Sequence, residues 1–397
     1  MRVGSLVSGP MLDMGRVGDR PKPPPYPRPL YFNNATTLII NMSRPHEGQR
    51  QQFPFGNPLR ALFHKESYLP PRLRALLNSF EESLAERFKK LQLKDKSDYL
   101  SLSWMRLAME LLCETHTDVK RLIADLEFPV SDWDEKWMDV YLDNSVRLLD
   151  MCIAFNSELS RLSQGQLLLQ CVLHLLDVSS SLPSAEKLTK SQTCLDDWLK
   201  HMTSRNPKLE NCSVILSALA ASLHLPKIKN STKGKVLMRA MHGVKVQTLF
   251  VCSIFAAAFS GSASKLVDLH PSDKHLWADS FNSLRADVNE EIRKTCAYRK
   301  STKILKELEA VDSCVKVLCS LVGNDFNNTD VEILKASATD LAKNTDNLSQ
   351  GLDLLSKQVE GFFQIVLCSR DALLHNLRAY NSSSDCRKEK SMEQVSR

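Results

Sequence analysis

Aspartate and glutamate are absent from Asn211 to Val267, 57 consecutive residues of a 397-residue chain. Basic residues are not: the same stretch holds Lys227, Lys229, Lys233, Lys235, Arg239, Lys245 and Lys265. Overall the chain has 52 basic and 46 acidic residues, so everything outside this stretch is close to neutral. The positive charge is therefore local. Glycine is scarce, at 13 residues, and proline is abundant only before residue 72. So few breakers exclude a turn-rich β fold and favour long helices, because an interior proline costs a helix about 3 kcal/mol. Eleven cysteines are present, yet no C-x-x-C pair and no Cys/His cluster with zinc-ligand spacing occurs. They read as reduced, buried small hydrophobes in a cytosol-like compartment.

Catalytic frameworks are also missing. There is no Gly-rich phosphate loop, no H-E-x-x-H and no G-x-S-x-G. The ten histidines are dispersed, and His116 and His174 have no second ligand one helical turn on. The chain is expected to be no enzyme and to need no metal or cofactor. Nucleic acid is not an expected partner, since no basic helix or recognised binding motif is present. The N-terminus lacks the apolar region of a secretory signal. Arg2, Arg16, Arg20 and Arg28 suit a plastid transit peptide, while Asp13 and Asp19 count against one.

Residues 1–69 read as a disordered, Pro-rich lead, with Pro21 to Pro29 favouring polyproline II. A helical part follows over 70–178. Leu73, Leu76, Leu77, Phe80, Leu84 and Phe88 share one face, and Trp104 to Leu126 supply another. Phe128-Pro-Val-Ser131 ends one helix and starts the next, with a kink expected near Gln164-Gly165. Ser179–Ser184 is the best internal linker. Middle helices are expected over 185–225, then a basic loop at Pro226–Lys235 within a 226–264 segment whose helix begins near 236. A seam region covers 265–380, and 381–397 reads as a polar, mobile tail.

The last third is the most regular. Leu348, Leu352, Leu355, Val359 and Phe362 alternate steps of four and three, as do Ile304, Leu308, Val311, Val315 and Leu318. Such steps average 3.5 residues and keep a narrow stripe facing a neighbouring helix. The predicted fold is all-α, an elongated multi-helix bundle with coiled-coil-like seams. The seam either packs within the chain or accepts a partner helix.

Val246–Ser264 carries no charge over 19 residues, and its apolar heart is Leu249–Phe259. Three readings stay open: a core helix, shallow membrane attachment, or a true span, which needs roughly 20 residues. For a membrane surface, Lys227, Lys229, Lys233, Lys235, Arg239 and Lys245 would meet anionic lipid at roughly 1 kcal/mol each. Leu249, Phe250, Ile254, Phe255 and Phe259 would insert. In a span, the basic side should face the cytosol.

Several segments resemble one family. They are Phe53-Pro-Phe-Gly-Asn-Pro-Leu-Arg60, Leu102-Ser-Trp-Met-Arg-Leu-Ala-Met109, Leu111-Leu-Cys-Glu-Thr-His116, Phe128-Pro-Val-Ser-Asp-Trp133, Lys136-Trp-Met-Asp-Val-Tyr-Leu-Asp143, Gly234-Lys-Val-Leu-Met-Arg-Ala-Met241 and Gly361-Phe-Phe-Gln-Ile-Val-Leu367. The chain resembles the BYPASS family of plant proteins and their ROH-type relatives over about residues 42–380. On that resemblance Met42 looks like the customary start and 1–41 an extension. The resemblance implies a role in root and shoot development, restraining a root-derived mobile signal that arrests the shoot. It also implies a link to an exocyst tethering subunit, and it carries no catalytic residues. Three functions follow as expectations: a helical regulator at an endoplasmic-reticulum or plasma-membrane surface facing the cytosol, a vesicle-tethering adaptor, or an enzyme or small-molecule binder acting on the signal precursor. A cytoplasmic or chloroplast address is the alternative, and oligomeric state is not indicated.

Overall fold

Long periodic stretches with few breakers leave the backbone little choice, and the computed structural model of the chain is all-α. It describes residues 69–127, 135–176, 183–223, 231–298, 303–323 and 331–395. The Pro-rich lead, Phe128–Asp134, most of the Ser179–Ser184 linker, Lys227 and Lys229 lie outside the described residues.

Among the described residues nine α-helices follow in order: α1 Pro71–Leu91, α2 Leu102–Leu126, α3 Glu135–Leu175, α4 Ala185–Thr203, α5 Pro207–Ala221, α6 Thr232–Ser260, α7 Ala278–Tyr298, α8 Lys306–Val322 and α9 Val331–Val395. Local chemistry sets their starts. Pro71 and Pro207 occupy first-turn positions, where the missing N–H is no loss. Ser101, Ser184 and Ser231 accept hydrogen bonds from Trp104, Lys187 and Gly234 N–H groups at 3.2, 3.3 and 3.0 Å. The Ser231 cap starts α6 at Thr232, so Lys233 and Lys235 belong to its first turns and not to a loop. Gly261 ends it in the left-handed region at φ 62°, which glycine adopts without strain.

At two further places the backbone is continuous helix. The α3 helix runs unbroken through Gly165. The missing side chain serves packing there, because a Cβ would collide with Met202 and meet His201 Cδ2 at 3.0 Å. The α9 backbone continues to Val395, through the segment read as a mobile tail, and no Pro or Gly lies there to stop it.

One continuous apolar cluster runs from Leu73 to Val366. At its centre α6 packs against α1, α2 and α5, and α9 packs against α2, α3 and α8. Helices distant in sequence thus build one interior. The α2 start is secured from afar: the Glu307 carboxylate accepts from Leu102 N–H at 3.0 Å, while Leu100 takes a left-handed φ of 72°.

Candidate functional site: a carboxylate-centred cavity

The described basic residues of the acid-free stretch do not form one free surface. Lys233 donates to the Glu127 carbonyl at 3.0 Å, and Lys235 is exposed. Arg239 grips Glu81 on α1 through Nε and Nη2 at 2.6 and 3.0 Å. Lys245 is half-buried against the Ser222 carbonyl at 3.1 Å, and burial lowers its pKa to about 8. Lys265 holds Ser213 Oγ at 2.6 Å and the Glu210 carbonyl at 3.3 Å. With no acid in their own stretch, most of these cations find acceptors elsewhere in the fold.

The residues expected to insert into lipid are interior. Leu249, Phe250, Ile254, Phe255 and Phe259 are at most 2% exposed. Phe250 meets Phe281 and Phe255 meets Phe155, each at 5.3 Å between ring centres. In this fold they cannot reach a bilayer without leaving the core. The seam is filled as well. Leu348, Leu352, Leu355, Val359 and Phe362 are all buried, and Phe362 packs edge-on to His116 of α2 at 5.0 Å. A partner helix therefore has no access to that stripe, because α9 presents it to α2, α3 and α8.

What does open to the outside is a cavity of about 450 Å³, where α3, the α4–α5 turn and the end of α6 meet. Its floor is Glu158, only 1% exposed. Three side chains hold that carboxylate. Arg161 donates through Nη2 and Nε at 2.7 and 3.0 Å, Asn206 Nδ2 at 3.1 Å, and Lys303 Nζ stands 3.5 Å away. Arg161 is itself tied to the His201 carbonyl and to Ser204 Oγ. Lys303 also donates to the Met202 carbonyl at 2.8 Å. Burial lowers the Lys303 pKa to about 8, against the upward pull of Glu158. Leu209 and Phe259 supply apolar wall, Ser260 and Ser262 supply hydroxyls, and Arg205, Glu210 and Lys265 add charged groups to the lining.

A buried charge persists only when paired and hydrogen-bonded, and Glu158 is both. It acts as an internal counter-ion for Arg161 and Lys303. The volume suits a small molecule, and the mixed lining suits one with a polar end and an apolar body. A second cavity, lined from α2, α3, α5, α6 and α9, measures about 60 Å³. His116 lines it, bonded to Thr248 Oγ1 at 3.2 Å, and burial lowers its pKa to about 4. It is a half-buried histidine whose neutral form burial favours. Among the described residues no group of three His, Cys, Asp or Glu converges to hold a metal.

Glu158, Asn206 and Lys303 were not foreseen as a site. One signal could have pointed to Glu158. It sits between Phe155 and Leu159 on the buried face of α3, and a carboxylate inside such a stripe needs a partner. Arg161 lies one turn further along α3, but Asn206 comes from the α4–α5 turn and Lys303 from the chain before α8, which no local pattern reveals.

Comparison with known proteins agrees with the segment resemblances. The family described as Protein ROH1-like matches residues 198–377. Protein BPS1, chloroplastic, from Arabidopsis thaliana is 50% identical over 344 residues, covering 86% of this chain and 95% of that protein. UPF0496 protein 4 from Oryza sativa subsp. indica is 38% identical, covering 86% of this chain and 98% of its own length. Protein ROH1D from Arabidopsis thaliana is 22% identical over 363 residues. No solved structure matches.

Proposed function

This chain belongs to the BYPASS-like family of plant proteins, and we propose that it works there as a non-catalytic helical regulator of root and shoot development. In this reading it restrains a root-derived mobile signal that arrests the shoot. The observation that carries it is the 50% identity to Protein BPS1 across 86% of the chain. The saturated charges around Glu158 support a binding role over a reactive one. The cavity is the element through which a small molecule would be met. Filling it tests this: Leu209→Trp, expressed in plants lacking the protein, should fail to restore shoot growth while remaining folded. Full restoration by a folded Leu209→Trp protein removes the cavity from the reading.

For its address, peripheral attachment to a membrane is favoured over a span. The α6 helix is long and apolar enough to cross, but 89% of its most apolar window is buried. Spanning would part it from α1, α2 and α5. Alkaline carbonate should release the protein from membranes; release by detergent alone would sink the peripheral reading. The relative Protein BPS1, chloroplastic, is by its name a chloroplast protein. Import of the tagged full chain into isolated plastids tests whether this chain shares that address. A tethering role beside an exocyst subunit would have to use the outer surface, since the seam is occupied, and co-purification of exocyst subunits tests it.

A further inference from the structure

We propose that Cys171 and Cys194 are an oxidative modification site, a thiol pair that closes to a disulfide joining α3 to α4. The two sulfurs already touch: the Cys194 thiol donates to Cys171 Sγ at 3.5 Å. They lie on neighbouring helices that pack closely, with Leu169, Val172, Leu195 and Trp198 buried nearby in the sequence of each. A disulfide needs sulfurs about 2.0 Å apart, so side-chain rotation and a small shift close the gap.

Access separates this pair from the interior thiols. Cys171 is exposed and Cys194 is partly covered. Cys152 and Cys252 are buried, and burial pushes the Cys252 thiol up to about 12 and Cys152 well above its ordinary value. A protonated, enclosed thiol is a packing group, whereas oxidation follows thiolate character and exposure. Exposure assigns the roles: Cys171 is the sulfur that meets solvent, while burial pushes the Cys194 thiol up to about 11.

With a peroxide as oxidant the step balances. The Cys171 thiolate attacks one peroxide oxygen, the O–O bond breaks, and the departing hydroxide takes a proton to become water. Cys171 is then a sulfenic acid. The Cys194 sulfur attacks the Cys171 sulfur, the S–S bond forms, the S–O bond breaks, and the hydroxyl leaves as water with the Cys194 proton. Two thiols lose two electrons and peroxide becomes two waters.

The consequence reaches the cavity. The last turn of α4 and its cap carry the His201 and Met202 carbonyls and Ser204 Oγ, which hold Arg161 and Lys303. A staple at Cys194 fixes the helix that presents them.

The test uses the purified full chain. After hydrogen peroxide treatment, non-reducing digestion and mass spectrometry should find the Cys171 and Cys194 peptides joined, two hydrogens lighter than the separate thiols, and dithiothreitol should part them. The oxidised protein should melt a few degrees higher than the reduced one. Cys171→Ser and Cys194→Ala should each abolish both changes while keeping the reduced protein's helical circular dichroism. Oxidation of Cys171 to sulfinic acid with Cys194 still free to alkylate would overturn the proposal. So would cysteine pairing that leaves out either residue, or no change at either.

Discussion

Arg239 and Glu81 make a two-pronged ion pair between α6 and α1, 158 positions apart in sequence, with N···O distances of 2.6 and 3.0 Å. The carboxylate is fully enclosed and also accepts from His275 Nδ1 at 3.2 Å and Leu276 N–H at 3.0 Å. Burial alone would favour its protonated form. The hydrogen bonds from His275, Arg239 and Leu276 outweigh that and hold its pKa at about 2. Arg239, read along the sequence as a cation facing lipid, instead clamps the first helix to the central one.

Removing one partner strands the other. Arg239→Ala should destabilise the fold by about 3–5 kcal/mol, because the Glu81 charge would remain buried without its counter-ion. Urea unfolding at neutral pH measures this. A loss below about 1 kcal/mol would place the pair with ordinary surface salt bridges.

The same carboxylate gives an acid dependence. Its folded pKa lies below the ordinary 4.5. Its contribution is therefore present above about pH 4.5 and disappears as pH falls towards 2, by roughly 3 kcal/mol in all. Glu81→Gln should lower stability at pH 7 and flatten this part of the acid limb. An unchanged limb in the variant would mean that other carboxylates control acid unfolding.

Lys245 distinguishes core from membrane roles. Its amine is half-buried and its pKa is lowered to about 8 by burial. Lys245→Met keeps the stem and removes the buried charge. It should leave the melting temperature unchanged or raise it by a few degrees. Binding to anionic vesicles should not fall. Reduced vesicle binding by a stable Lys245→Met protein would return this lysine to the membrane face.

The α9 stripe should behave as core. Leu352→Asp or Val359→Asp places a charge where the native side chain is fully enclosed. Each should cost several kcal/mol and broaden or abolish cooperative unfolding. A variant that melts like the parent would show the stripe to be open after all.

Gly243 should resist the replacement that usually strengthens a helix. Alanine normally gains about 1 kcal/mol over glycine in a helix interior. Here a Cβ would lie 2.7 Å from Leu84 Cδ2 and 3.3 Å from Trp277 Nε1, and both side chains are enclosed. Gly243→Ala should therefore lose about 1–3 kcal/mol in thermal or urea unfolding. A gain would mean that α1 and the chain before α7 give way easily.

Helix identity was legible because it is written locally. The stripe of Leu73, Leu77, Phe80 and Leu84 and the later stripe of Leu348, Leu352, Leu355 and Val359 each mark a buried face. Pro71, Pro207 and the capping serines mark starts. The family was legible too, through segments such as Leu102–Met109 and Gly361–Leu367. The cavity was not, since its floor joins Glu158 to Asn206 and Lys303, 48 and 145 positions further on.

Periodicity and composition, by themselves, determined that this chain is helical and which side of each helix is apolar. They could not say what covers that side. Charge and greasiness are properties of a segment, and a core helix of a large bundle shares both with a membrane-binding one. Only the tertiary structure shows what covers that side in this fold, by bringing Glu81 to Arg239, Phe155 to Phe255 and α2 to the α9 stripe. The physical reason is that burial and ion pairing are set by neighbours in space, and these neighbours lie a hundred or more residues apart along the chain.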